Sequence, residues 1–158
     1  MPIRAAVIIV SDRSAAGTRA DGAGPIAVDA LRAAGFECAD ATIVPDGAEN
    51  VASALRAALA DTARLSVTSG GTGIAPRDLT PEGTARVIDR EVPGIAEELR
   101  RRGAEHAPAA ALSRGIAGTA GDALIVNLPG SPKAVAEGIP IIVAVADHAL
   151  AQLSGDDH

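Results

Sequence analysis

Two hydrophobic periods alternate along the first half of this chain. Apolar stretches at Ile3–Val10, Phe36–Val44 and Leu65–Thr68 read as strands, and the run Val7-Ile8-Ile9-Val10 has the continuity of a strand buried on both faces. Between them the period changes to that of a helix. Pro25–Ala34 sets Ile26, Ala30, Leu31 and Ala34 on one face and stops at Gly35, and Ala48–Thr62 carries a stripe of Val51, Leu55, Ala58 and Leu59. The order β-α-β-α-β predicts a parallel sheet covered by helices on both faces. Ligands of such sheets bind outside the carboxyl ends of the strands, which here are Ser11-Asp12, Pro45-Asp46 and Thr68-Ser69-Gly70.

The second half is less regular. Thr80–Arg90 and Pro93–Arg102 read as short helices separated at Val92-Pro93, and the run Glu97-Glu98 then Arg100-Arg101-Arg102 reads as a solvated face that complements the helix dipole. Ile116–Thr119 and Ala123–Leu128, joined at Gly121-Asp122, predict a hairpin and hence a mixed sheet. Ser131-Pro132 reads as an N-cap followed by proline in the first turn. Helical pattern then runs to about Leu153 with a kink expected near Pro140. One domain over 3–153 and a frayed tail over 154–158 are expected.

The chemistry concentrates after the third strand. Thr68-Ser69-Gly70-Gly71-Thr72-Gly73 cannot easily continue a helix or strand; its glycines admit close approach of a ligand to backbone, and its hydroxyls add donors suited to phosphate or a polar heterocycle. Arg77 and Asp78 follow on the same loop. This is neither a Walker A loop nor the G-x-G-x-x-G dinucleotide fingerprint. Asp46 and Asp78 both sit at strand edges, where paired carboxylates beside phosphate-binding amides suit a Mg²⁺-assisted reaction at phosphorus. For Asp46 a capping box with Glu49 explains the residue equally well. Asp78 has no such explanation, because Thr80 already fits the next N-cap. Ser131 is likewise open between a plain helix cap and a ligand contact.

Composition narrows the ligand. Of 158 residues, 47% are hydrophobic but only 1% aromatic, Phe36 being the one Phe, Tyr or Trp, so a heterocycle is expected to be held by backbone, aliphatic and hydrogen-bonding groups with base stacking nearly excluded. A net charge of −6 argues against a nucleic-acid partner. Cys38 is alone, which excludes an intramolecular disulfide, and reads as a small core residue. His106, His148 and His158 lack metal-ligand spacing, and no Ser-His-Asp or Cys-His arrangement suggests covalent catalysis. No leader segment and no uninterrupted apolar run of about 20 residues is visible, so a cytoplasmic protein without a membrane partner is expected.

Taken in order, Val10-Ser11-Asp12-Arg13, Pro45-Asp46, the loop from Thr68 through Pro81 and Asn127–Lys133 resemble the MogA/MoaB family of molybdenum cofactor biosynthesis, over about Ile3–Leu153. The resemblance implies a three-layer α/β/α fold with a mostly parallel sheet, assembled as a homotrimer. It implies adenylylation of molybdopterin by MgATP, with Asp46 and Asp78 positioning Mg²⁺ and nucleotide. Ser11, Thr68, Ser69, Gly70, Gly71, Thr72, Gly73, Pro129, Gly130 and Ser131 would then hold the substrates. Other enzymes of molybdenum cofactor biosynthesis are candidate partners. The alternatives are a non-catalytic MoaB-like molybdopterin-binding protein and a trimeric scaffold.

Overall fold

The computed structural model describes residues 1–156. Its centre is a sheet of strands β1 (Arg4–Val10), β2 (Glu37–Cys38), β3 (Thr42–Val44), β4 (Leu65–Ser69), β5 (Arg90–Glu91), β6 (Ala117–Ala120) and β7 (Ala123–Leu128). The order is β2-β1-β4-β7-β6-β5, with β3 beside β2 on the same edge of β1. β1, β4 and β7 are parallel neighbours in the middle, and β6 and β5 turn antiparallel at the far edge. The helices are α1 (Asp12–Ala15), α2 (Ala23–Ala33), α3 (Ala48–Ala60), α4 (Thr80–Ala85), α5 (Pro93–His106) and α6 (Pro132–Leu153), with a 3-10 turn at Pro108–Leu112.

The two-residue period of the central strands sorts their side chains between two cores. Val7 and Ile9 of β1, Leu65 and Val67 of β4, and Leu124, Val126 and Leu128 of β7 pack with α2 and α6. Ile8, Val10 and Ile125 turn the other way and pack with Val51 and Leu55 of α3. The result is three layers, helix on sheet on helix. α6 is long and apolar enough, by length and composition, to cross a membrane. In the fold it lays Val135, Ile139, Ile142, Ala146 and Leu150 into the core instead. It runs from Pro132 to Leu153 as one helix with Pro140 inside, leaving the carbonyl of Ala136 without its usual amide partner.

Several expectations are corrected. The stretch 36–44 is two strands, because it advances one residue more than β1 between the pairs Ala5↔Cys38 and Ile8↔Thr42. Arg32 Nε donates to the carbonyl of Cys38 at 2.8 Å, taking an acceptor at the break. The helix from Thr80 ends at Ala85, and Arg90–Glu91 becomes an edge strand on β6. Thr80 is not a cap: Leu79 holds that position, and the Thr80 hydroxyl donates to the Gly70 carbonyl at 2.8 Å. The helix α5 runs on to His106. Ser131 is the cap of α6, its hydroxyl accepting from the Ala134 amide at 3.1 Å. At the C-terminus, the Asp156 amide closes back on the Ala151 carbonyl and Arg64 bonds the Ser154 hydroxyl, while the last two residues of the expected tail lie outside the described residues.

The charge run on α5 divides. Arg101 chelates Glu98 through two nitrogens at 2.9 Å each, and Arg102 Nε reaches the same carboxylate at 2.8 Å. Arg100 turns inward to the Gly115 carbonyl at 2.7 Å. Arg101, and then Arg102, hold the Glu98 carboxyl down from its ordinary 4.5 to about 2. A depressed carboxyl stabilises the fold in full above its ordinary value, and that contribution is lost as pH falls through about 2. A carboxyl carbon titration by NMR is expected to place the Glu98 midpoint near 2; a midpoint at 4.5 would show that the triad does not persist in solution.

Candidate functional site

The carboxyl ends of β1, β3, β4 and β7 open into a cavity of about 670 Å³. It is lined by Ser11, Asp12, Asp46, Ser69, Gly70, Gly71, Thr72, Gly73, Asp78, Pro129, Gly130 and Ser131, together with the α1–α2 loop and the 3-10 turn. Four separate segments meet there because parallel strands all deliver their following loops to one edge. Among the residues expected from sequence, Thr68 is the exception. The strand period points its side chain to the α4 face, where its hydroxyl accepts from Asn127 Nδ2 at 2.9 Å and is fully buried. Thr68 therefore braces the sheet and presents nothing to the cavity.

The floor is the loop after β4. Gly70 has φ +104°, and a Cβ there would collide with the Val10 carbonyl, so only glycine lets β4 turn this close to β1. The Gly70 amide is bonded to the Leu128 carbonyl, and Ser69 Oγ donates to the Pro129 carbonyl at 2.9 Å, fastening this loop to the one after β7. The amides of Gly71, Thr72 and Gly73 make no hydrogen bond with the described residues. Nor does the hydroxyl of Thr72, a residue only 4% exposed that lines the cavity. Donors on a cavity wall that no protein group takes are open to a ligand, and half-buried Gly71 and Gly73 present theirs at this edge.

Asp46 and Asp78 face this cavity from opposite loops. Asp46 does not cap α3; Gly47 holds that position without a side-chain cap bond. Its Oδ2 accepts from the Asp12 amide at 3.1 Å, and its own amide donates to Asp12 Oδ1 at 3.1 Å, a reciprocal clasp between the loops after β1 and β3. Burial raises the Asp46 carboxyl above its ordinary range, the Asp12 amide opposes this, and the charges of Asp12 and Asp78 add to the rise. Asp78 Oδ2 accepts from the Ala75 amide at 3.0 Å. The other carboxylate oxygen of each residue accepts no hydrogen bond from the described residues.

Two arginines outside the cavity wall hold the loops that carry these carboxylates. Arg77 chelates Asp12, Nε to Oδ2 at 2.6 Å and a terminal nitrogen to Oδ1 at 2.9 Å, and donates to the Asp46 carbonyl at 3.1 Å. That contact holds the Asp12 carboxyl below its ordinary range. Arg114 clamps the other side: Nε donates to the Gly73 carbonyl at 2.8 Å, one terminal nitrogen to the Asp78 carbonyl at 2.6 Å, and both terminal nitrogens to Glu82. Its own amide donates to the Thr72 carbonyl at 2.7 Å. Sequence reading missed Arg114 and the cavity-lining role of Asp12. Asp12 stood at a strand edge already marked as a ligand edge; Arg114 carried only the weaker signal of an arginine between Ser113 and Gly115 ahead of a strand.

Among the described residues no group of three or more His, Cys, Asp or Glu could hold a metal ion by itself. The uncommitted oxygens of Asp46 and Asp78 nevertheless fit Mg²⁺ that arrives with phosphates, which takes one or two carboxylates and completes its shell from substrate and water.

In open α/β sheets ligands bind outside the carboxyl ends of the strands, and the glycine-rich loop and the carboxylates of this chain lie at that edge. The family model MoCF_biosynth, a "Probable molybdopterin binding domain", matches residues 6–148. This chain is 38% identical over 155 residues to the molybdenum cofactor biosynthesis bifunctional protein of Chlorobaculum tepidum, covering 98% of this chain and 50% of that protein. It is 35% identical over 139 residues to the molybdopterin adenylyltransferase of Escherichia coli, covering 85% of this chain and 71% of that one. The structure of the molybdopterin biosynthesis Mog protein from Mycobacterium ulcerans superposes with a TM-score of 0.92 at 43% identity, covering 99% of both chains. The chain thus spans about half the length of the bifunctional relative and the whole of the Mog structure. It belongs to the MoCF_biosynth family of molybdenum cofactor biosynthesis proteins.

Proposed function

We propose that this chain is a molybdopterin adenylyltransferase, transferring AMP from MgATP to the terminal phosphate of molybdopterin. The observation that carries the reading is the pairing, across one cavity, of two carboxylates having uncommitted oxygens with a loop of unbonded amides. The similarity to a protein named for that activity supports it.

In this reading the amides of Gly71, Thr72 and Gly73 and the Thr72 hydroxyl bind phosphate oxygens. A pterin phosphate oxygen bonds to the α-phosphorus of ATP while the bond from that phosphorus to the bridging oxygen breaks, and pyrophosphate leaves. Asp46 and Asp78 would hold Mg²⁺, which when bound supplies charge neutralisation at the phosphates. No side chain need become covalently attached, in keeping with a cavity that has no paired nucleophile and base. Positioning by the Asp12–Asp46 clasp and the Arg114 clamp, together with preorganised amides, carries the rate. Assembly as a homotrimer is part of the same proposal, and light scattering giving the mass of one chain would remove it.

Incubation with molybdopterin, ATP and Mg²⁺ is expected to yield adenylyl-molybdopterin and pyrophosphate. Tight molybdopterin binding without turnover would favour a binding protein over an enzyme. Absence of molybdopterin binding would overturn the reading.

A further inference from the structure

We propose that Ile74 and Leu112 form an aliphatic ring-binding subsite at the solvent side of the cavity, covering a face of a planar heterocycle whose phosphate lies on the Gly71–Gly73 amides. The inference rests on the reading of this cavity as the place where ATP and molybdopterin meet, and adds the residues that hold a ring.

Ile74 is 70% exposed and Leu112 54%, the most exposed large hydrophobic residues after Met1. Both line the same cavity, whereas the other exposed large hydrophobics, Ile43, Leu79 and Val145, do not. They come from different segments, Ile74 from the loop after β4 and Leu112 from the end of the 3-10 turn, where Ala109 and Ala110 extend the apolar wall. Single exposed apolar residues are ordinary, but convergence of two on the mouth of a polar cavity marks a surface that is covered when the protein works.

The chemistry of the rest of the cavity tells what covers it. The strand-edge end offers glycine amides and hydroxyls that suit phosphate oxygens, and carboxylates that suit the Mg²⁺ such phosphates carry. A ligand anchored there must extend its non-phosphate part toward the remaining wall. Stacking on an aromatic side chain is unavailable here: Phe36, the one Phe, Tyr or Trp, is 6% exposed in the core, and among the described residues no histidine lines this cavity. Ile74 and Leu112 are the exposed branched aliphatic side chains on that wall, beside Pro129, Pro132 and the guanidinium groups of Arg13 and Arg19, and are placed to shield a face of a heterocycle.

The test measures affinities by calorimetry for ATP, molybdopterin and inorganic tripolyphosphate with Mg²⁺, in wild type, Ile74→Ser and Leu112→Ser. Because both side chains are exposed, the variants are expected to fold with an unchanged thermal midpoint; Ile43→Ser is the exposed control, and Leu112→Met retains the apolar contact. ATP, molybdopterin or both should weaken by about tenfold per serine substitution, with tripolyphosphate unchanged and Leu112→Met close to wild type. Which heterocyclic ligand weakens identifies the ring that the subsite holds. Unchanged affinities for both, an equal loss for tripolyphosphate, or a change in oligomeric mass on substitution would overturn the subsite and leave the proposed function standing. Wild-type protein that binds neither ATP nor molybdopterin would overturn the proposed function and the subsite together.

Discussion

Asp78→Asn is expected to lower adenylyl transfer by about 10²–10³-fold while leaving molybdopterin binding and thermal stability close to wild type. Asparagine has the shape of aspartate, and its side-chain carbonyl can accept from the Ala75 amide as Asp78 Oδ2 does at 3.0 Å, so the loop keeps its turn. What disappears is the negative charge and the hard oxygen directed at the cavity. If the charge serves only to shape the loop, the neutral isostere would retain turnover. If it holds Mg²⁺ on the nucleotide, turnover falls and raised Mg²⁺ concentration recovers part of it. Steady-state rates over a Mg²⁺ titration, beside equilibrium binding of molybdopterin, separate these outcomes.

Arg114→Ala should cost both stability and rate. The guanidinium satisfies the Gly73 and Asp78 carbonyls and chelates Glu82, so truncation strands two partly buried acceptors and leaves Glu82 unpaired. Hydrogen bonds of this charged kind contribute about 1.5–3 kcal/mol each when buried. Discounting for the partial exposure here, a loss of about 3 kcal/mol is expected, or a fall in Tm of about 6–12 °C. The loop that carries Asp78 is then free to shift, and displacement of a reacting group by about 1 Å costs on the order of 10²-fold in rate. The loss should appear in kcat of folded enzyme at low temperature. Arg114→Lys, which keeps the charge but can reach only some of the partners, should recover part of it. A kcat unchanged in Arg114→Ala, with only Tm lowered, would reduce Arg114 to a structural brace.

How far these features were legible follows from the range of the forces involved. Strands β1, β4 and β7 were readable because burial on both faces demands apolar residues at nearly every position, as in Leu65–Val67 and Ala123–Val126. The split of 36–44 depends on a one-residue slip in pairing with β1 between Ala5↔Cys38 and Ile8↔Thr42, which no local period records. Edge strand β5 is two exposed residues long, too short to carry a period, and α1 is a single turn. At the site, glycine and aspartate at strand ends announced themselves because regular structure does not require them there. Thr68 differs from Ser69 by one step of the strand period, so Ser69 comes out at the cavity rim and Thr68 behind it. Arg77 stood in the recognised loop, yet its partner Asp12 lies 65 positions away, and Arg114 meets Asp78 across 36 positions. Pairings at such separations are properties of the folded sheet.

The most direct test of the account is transfer of α-labelled AMP from ATP to molybdopterin by wild type, Asp46→Asn, Asp78→Asn and the double variant, assayed together. If the two carboxylates act as one unit on one nucleotide, each single variant falls steeply and the double variant is about as slow as the slower single one. Double-variant losses equal to the product of the single losses would contradict the shared role, and single variants with full activity would contradict the site.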